Sequence, residues 1–220
     1  MMLRPAITRQ GTLFHQSLRK LFSSRDTDKT PIKHVIITGA SGGIGRAIAS
    51  RFASEGARCT LIGRTESKLQ TSLRGLSALR DHQIVVGDVG KEAFWKDLAK
   101  KMKEDKDHCC IINISSLLGV KSGRGSSVYA ASKAGVLGFT RALAAEAGPA
   151  GVRVNAVVPG YIETEMTSGM EPALFESTKN AIPLQRFGTA EEVADAAFFL
   201  AANQYANNCT LNLDGGLSAV

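Results

Sequence analysis

Residues 35–45 read Val35-Ile36-Ile37-Thr38-Gly39-Ala40-Ser41-Gly42-Gly43-Ile44-Gly45, a β-branched run that breaks into glycines. Ile44, Ile48 and Phe52 then recur at helical spacing. The pattern predicts a strand, a tight turn and a helix, in that order. A backbone without Cβ atoms can pass close to a pyrophosphate, and the first N–H groups of the following helix have no internal partner and point at it. A glycine triplet alone says little. Here the residues on both sides have the periodicity that the turn requires.

The same alternation continues along the chain. Arg58–Ile62 reads as a second strand, Glu66–Leu79 as a helix and Gln83–Gly87 as a third strand. Lys91–Lys103 reads as a helix with Phe94, Leu98 and Met102 on one face. Ile111–Ile114 is a short apolar run, and Val152–Val158 is nearly continuous in apolar residues, as a strand buried on both faces requires. Gly148-Pro149 stops the helix before it, Thr189-Ala190-Glu191-Glu192 has the form of a capping box, and Thr210–Leu213 reads as a last strand before Asp214-Gly215-Gly216. Strands alternating with helices predict an α/β, doubly wound parallel sheet of the Rossmann kind, in one domain over residues 32–220.

Cys110–Lys133 carries the chemistry. Val128–Ala145 reads as helix, which places Tyr129 and Lys133, four apart, on one face. A phenol is a poor acid near neutral pH, and an ammonium one turn away stabilises the phenolate left when the proton goes to a carbonyl oxygen. Ser116, just past Ile111–Ile114, adds a hydroxyl able to hold that oxygen. A helical Tyr–Lys pair alone is ordinary surface decoration; beside the glycine turn it acquires a role.

Together these residues resemble the short-chain dehydrogenase/reductase family, whose Ser…Tyr-x-x-x-Lys signature Ser116, Tyr129 and Lys133 match, and whose Thr-Gly-x-x-x-Gly-x-Gly turn matches Thr38–Gly45. The resemblance covers about Lys33 to Val220 and implies that Thr38, Gly39, Ser41, Gly43, Ile44 and Gly45 cradle a dinucleotide. It also implies that Asp88 and Val89 lie along the adenine. Pro159, Gly160, Ile162 and Thr164 would stand at the nicotinamide, with Tyr129 and Lys133 reaching the same cofactor. A carboxylate at the end of the second strand suits the ribose of NAD, whereas an arginine suits the 2′-phosphate of NADP. Gly63-Arg64 stands there, with Arg46 after the glycine turn, so the expected cofactor is NADP(H), bound in part by Arg64. No metal is expected.

Within the family, Val128–Gly138, Val154–Met166, Ile182–Gly188 and Leu213–Leu217 resemble the 3-oxoacyl-acyl carrier protein reductases. This implies a substrate bound to acyl carrier protein and, if the interface survives the absence of one family helix, a homo-oligomer; Glu165–Asn180, rich in Met, Thr, Ser and Glu, reads as a mobile lid. A reductase of another ketone or alcohol, or a shortened, inactive nucleotide-binding form, remains open on the same residues.

One block of the family pattern is absent. Relatives place a fourth strand, ending in an Asn-Asn-Ala-Gly-like turn, and a helix carrying a catalytic asparagine before the serine strand; that helix also lines their usual dimer interface. Here Glu104–His108 leads straight into Cys109, and Gly39 to Tyr129 leaves no room for a further crossover unit of about 30 residues. Asn113 lies inside the strand and cannot replace the asparagine. An empty slot would leave backbone groups unpaired at about 1–3 kcal/mol each if buried. Cys110–Ser115 is therefore expected to pair directly with Val35–Thr38 in a six-stranded sheet, carrying Ser116, Tyr129 and Lys133 about 4.8 Å toward the cofactor.

The 220 residues, 44% hydrophobic and 21% charged, suffice for one such domain. Of the formal charge of +7, residues 1–24 supply +4 through Arg4, Arg9, Arg19 and Lys20 with no acidic residue. No basic cluster is interleaved with aromatics, so nucleic acid is not an expected partner, and no apolar run reaches the length of a membrane span. Met1–Ser24 has the composition of a mitochondrial transit peptide and Ser23–Pro31 that of a polar linker, so residues 1–31 are expected to be leader and linker and the destination the mitochondrial matrix. Cys59, Cys109, Cys110 and Cys209 have no metal-like or C-x-x-C spacing and are expected to be reduced thiols.

Overall fold

The structure, a computed structural model, describes residues 32–101, 109–121 and 123–220. The expected leader and linker over 1–31 and most of the junction at 102–108 lie outside the described residues. The described chain runs β1 (His34–Thr38), α1 (Gly43–Ser54), β2 (Arg58–Gly63), α2 (Glu66–Arg74), β3 (Gln83–Val86), α3 (Glu92–Lys101) and β4 (Cys110–Ile114). It continues with α4 (Ser127–Ala147), β5 (Arg153–Pro159), α5 (Pro172–Ala181), α6 (Ala190–Ala202) and β6 (Thr210–Leu213). Helix α2 ends five residues before its predicted limit because Gly75 caps it, its N–H donating back to Ser72. Helix α6 starts as the sequence predicts, with Thr189 and Glu192 each closing on the other's backbone.

All strand pairs are parallel, and they form two three-stranded sheets in the orders β1-β2-β3 and β4-β5-β6. The expected pairing of β4 with β1 is therefore wrong: the six strands are present, but the first and fourth do not bond to one another. The helices on one face supply the reason. Ala49, Phe52 and Ala53 of α1 share one core cluster with Ala197 and Ala201 of α6, the Phe52 and Phe198 rings meet edge to face at 5.4 Å, and Arg51 Nε donates to Asp195 at 2.6 Å. Packed helices stand about 8–10 Å apart, roughly two strand spacings of ~4.8 Å. Sliding β4 up to β1 would drive α6 across α1 and break this cluster. Without that pairing, the expected shift of Ser116, Tyr129 and Lys133 toward the cofactor loses its basis.

The expected penalty also assumed burial. Lys33 accepts from Arg58 on β2, so by alternation Ile36 and Thr38 turn their backbone groups away from β2. Ser115 donates to Val157 on β5, so Ile112 and Ile114 turn theirs away from β5. These edges border the slot. Ile36 is 44% exposed and Ile111 39%, on the face opposite α1 and α6, so water reaches the slot and the cost of unpaired groups falls. Ile112 packs toward α6 from the covered face and touches both large core clusters. The strand that would carry the most burial, β5, is buried at every position.

Candidate active site

The glycine turn connects β1 to α1. Gly39 has φ +66°, where a side chain is strained, and a Cβ on Gly45 would stand 2.3 Å from the Gly39 carbonyl oxygen. Gly42 caps α1 in extended conformation with no side-chain cap, so no N-cap side chain pairs with the N–H groups of the first turn. Thr38 is exposed at the end of β1, and Ile44 packs partly into the second core cluster, fixing the helix start. Ser41 turns its hydroxyl toward Gly63 at the end of β2, and a Cβ on Gly43 would meet Thr164 at 3.0 Å, so three strand ends converge here. An open turn of this shape, with the helix N-terminus behind it, fits a dinucleotide pyrophosphate.

Arg64 follows β2 and is exposed, with no ion pair to another described residue. Arg46 is already engaged: its guanidinium donates to the Ser41 carbonyl at 3.1 Å and lies 3.7 Å from Glu165. Arg46 also lines the cavity behind the turn, and its Nε has no hydrogen-bond partner among the described residues. Asp88 accepts from Gly90 N–H at 2.9 Å, which shapes the turn after β3; Val89, half-exposed, accepts from Trp95 Nε1 at 2.8 Å. Pro159 ends β5, and Gly160 lies against Asp214, its N–H donating to Leu213 at 2.9 Å. Ile162 is buried and bridges Gly188, while the Thr164 N–H and the Ile162 carbonyl both bond Thr167 Oγ1. Thr167, which sequence reasoning passed over, thus sets the shape of the turn that carries Ile162 and Thr164.

Ser116 caps the 3₁₀ turn Leu117–Gly119, its Oγ accepting from Leu118 N–H at 3.3 Å. Tyr129 stands in the first turn of α4 with 47% exposure, and Lys133 Nζ is 5.6 Å from its ring centroid. The serine turn and α4 are held together by Ser115, whose Oγ donates to the Lys133 carbonyl at 2.7 Å, and by Gly119, where a Cβ would meet the Lys133 backbone at 2.9 Å. The serine pair gave no sign in sequence of which member would face α4. Ser115, the anchor, was missed for that reason. Lys133 Nζ donates to the Ile114 carbonyl at 3.0 Å, one of the β4 groups turned toward the slot. The ammonium therefore caps the strand edge that the absent block leaves bare.

A cavity of about 440 Å³ lies behind the cradle, lined by Gly43, Arg46, Ser50, Gly75 and Glu191 among others; Ser116, Tyr129 and Lys133 do not line it. Burial pushes the Cys59 thiol up to about 11 and raises Cys110 as well, as fits reduced, unreactive thiols. No disulfide joins Cys59, Cys109, Cys110 or Cys209. Among the described residues no cluster of His, Cys, Asp and Glu would hold a metal, and no helix is long and apolar enough to cross a membrane.

Two family models match in tandem: "short chain dehydrogenase" over residues 33–108 and "Enoyl-(Acyl carrier protein) reductase" over residues 99–218. The 3-oxoacyl-(acyl-carrier-protein) reductase FabG of Chlamydia muridarum is 32% identical over 241 residues, covering 84% of this chain and 97% of the relative. That alignment is longer than this chain, so the relative holds residues with no counterpart here. Carbonyl reductase family member 4 of Danio rerio is 31% identical, covering 83% and 96%. The 3-oxoacyl-(acyl-carrier-protein) reductase of Bos taurus is 48% identical over 107 residues, 49% of this chain and 44% of the relative. A crystal structure of a short chain dehydrogenase from Bacillus anthracis superimposes with TM-score 0.75 at 29% identity, covering 84% of this chain and 96% of that one. With the glycine turn, the Ser-Tyr-Lys set and both halves of the chain accounted for, this protein belongs to the short-chain dehydrogenase/reductase family, oxidoreductases that use a nicotinamide nucleotide.

Proposed function

We propose that the chain reduces a 3-oxoacyl thioester, carried on acyl carrier protein, to the 3-hydroxyacyl form, with NADPH as reductant, in the mitochondrial matrix, with Met1–Ser24 as the targeting leader. The observation that carries this reading is the tether of the Ser116 turn to the Tyr129–Lys133 face of α4 through Ser115 and Gly119. Relatives named as 3-oxoacyl-acyl carrier protein reductases support the substrate, and the exposed Arg64 supports NADPH over NADH. The arginine-rich, acid-free composition of residues 1–24 supports the destination.

A reduced nicotinamide supplies a hydride to the carbonyl carbon. The protein's own part is to receive the negative charge that develops on the carbonyl oxygen. Ser116 Oγ donates a hydrogen bond to that oxygen, and Tyr129 Oη gives it the proton. Lys133 stabilises the resulting phenolate by its charge, and solvent at the half-exposed tyrosine returns the proton. Positioned general-acid catalysis is worth roughly 10²–10⁴-fold. NADPH consumption with an acetoacetyl thioester tests the reading. Wild type is expected to turn over, and Tyr129→Phe to lose about 10²-fold or more while still binding NADPH. Equal rates for the two would refute the proton-donor role.

A second reading, a nucleotide-binding form without turnover, draws on the Lys133–Ile114 bond. While Nζ caps the β4 edge, it is held to the backbone and away from the ligand. Wild type that binds NADPH but consumes none would favour this form. A homo-oligomer is part of the proposal, through the half of α4 that leaves Val128 and Phe139 exposed.

A further inference from the structure

Ser116 and Tyr129 lie at the two ends of one loop. Its first end is fixed by the 3₁₀ turn Leu117–Gly119 and its second by α4. Near its middle stands Lys121, whose N–H closes the turn on the Leu117 carbonyl at 2.8 Å. Its side chain leaves the loop altogether: Nζ donates to the Leu217 carbonyl and to the Val220 carbonyl, each at 2.5 Å. Both carbonyls belong to the short 3₁₀ turn Leu217–Ala219 and the residue after it. Main-chain oxygens in a helical turn this close to its C-terminal end carry partial negative charge, so an ammonium suits them.

The tail itself is built to present them. Asp214, directly after β6, accepts from Gly216 N–H at 2.9 Å and Ser218 N–H at 3.0 Å, which folds the tail back. Leu217 then packs into one apolar cluster with Leu117, Ile182 and Phe187, against which Tyr161, Met170 and Phe175 rest. Leu117 is the neighbour of Ser116, and Phe175 lies in α5. The tail is thus in contact with both the serine loop and the segment expected from the sequence to form the lid.

We propose that Lys121 is a positioning residue that latches the Ser116–Tyr129 loop to the C-terminal turn and so shapes the acyl-substrate side of the site, an inference that rests on the reductase reading for its substrate. It touches neither the dinucleotide cradle nor Tyr129, so its loss affects ketone binding and leaves nucleotide binding alone. Lys121→Met keeps the stem and removes the charge; Lys121→Arg restores a donor. In Lys121→Met, amide exchange is expected to quicken together in residues 117–121 and 217–220. KM for an acetoacetyl thioester rises about tenfold, with NADPH affinity within about twofold of wild type. Lys121→Arg returns both the exchange and KM toward wild type. Unchanged exchange in the two segments of Lys121→Met overturns the latch, as does a loss of NADPH affinity equal to the rise in KM. A wild type without turnover would remove the reductase reading instead, and the exchange comparison would still decide the latch.

Discussion

Gly45 shows how much a single missing methyl decides. A Cβ there would meet the Gly39 carbonyl oxygen at 2.3 Å and its carbon at 2.8 Å. Both are backbone atoms, so no side chain can rotate out of the way and the turn itself must open. Overpacking of this kind costs about 1–3 kcal/mol, and the distortion falls where the pyrophosphate would lie. Gly45→Ala is expected to lower the thermal midpoint and weaken NADPH at least tenfold in a fluorescence titration; wild-type affinity in that variant would contradict the cradle. This position was legible from the sequence, because the spacing Gly39-x-x-x-Gly43-x-Gly45 already required close backbone approach. Arg46 and Arg64 were not equally legible. They look alike as letters, and only the structure shows Arg46 turned to the Ser41 carbonyl and Glu165 while Arg64 has no ion pair among the described residues.

Helix starts and strand interiors were legible because they depend on neighbours in sequence. Thr189 and Glu192 are three apart and cap each other, which composition alone announces. The structure adds Arg186, whose guanidinium donates to both oxygens of Glu192, at 2.9 and 2.5 Å. With the Thr189 N–H, it holds the Glu192 carboxyl at about 2, below the ordinary 4.5. A depressed carboxylate contributes stability that is complete above about pH 4.5 and lost as pH falls through about 2. The side chain is 40% exposed, so the effect is that of a cap, about 1 kcal/mol or less. Glu192→Gln is expected to unfold at lower temperature than wild type at neutral pH, with the difference shrinking toward pH 2. A difference that grows on acidification would refute the assignment. The end of α2 is less legible: the helical pattern over Glu66–Leu79 passes through Gly75, and only the structure shows its N–H closing the last turn on Ser72.

Strand neighbours were the least legible feature, since they depend on what packs across the sheet. The six strands follow from local periodicity, but the order in which two of them meet does not. The sequence expectation considered hydrogen bonds of β1 and β4 alone, whereas the contact of α1 with α6 through Ala49, Ala53, Ala197 and Ala201 decides their separation. Once that contact is kept, the absent block leaves a slot rather than a shorter sheet, and Lys133 reaches its β4 side. The two halves of the site remain on separate sheets: the cradle on β1 and β2, the serine turn and α4 beside β4 and β5. Whether they act on one ligand is most directly measured by a crystal structure of the chain with NADP⁺ and an unreactive 3-oxoacyl thioester analogue. The account predicts pyrophosphate over Gly39–Gly45 and the ketone oxygen about 3 Å from both Ser116 Oγ and Tyr129 Oη. A nucleotide bound over that turn with Tyr129 Oη directed away from the ketone would contradict it.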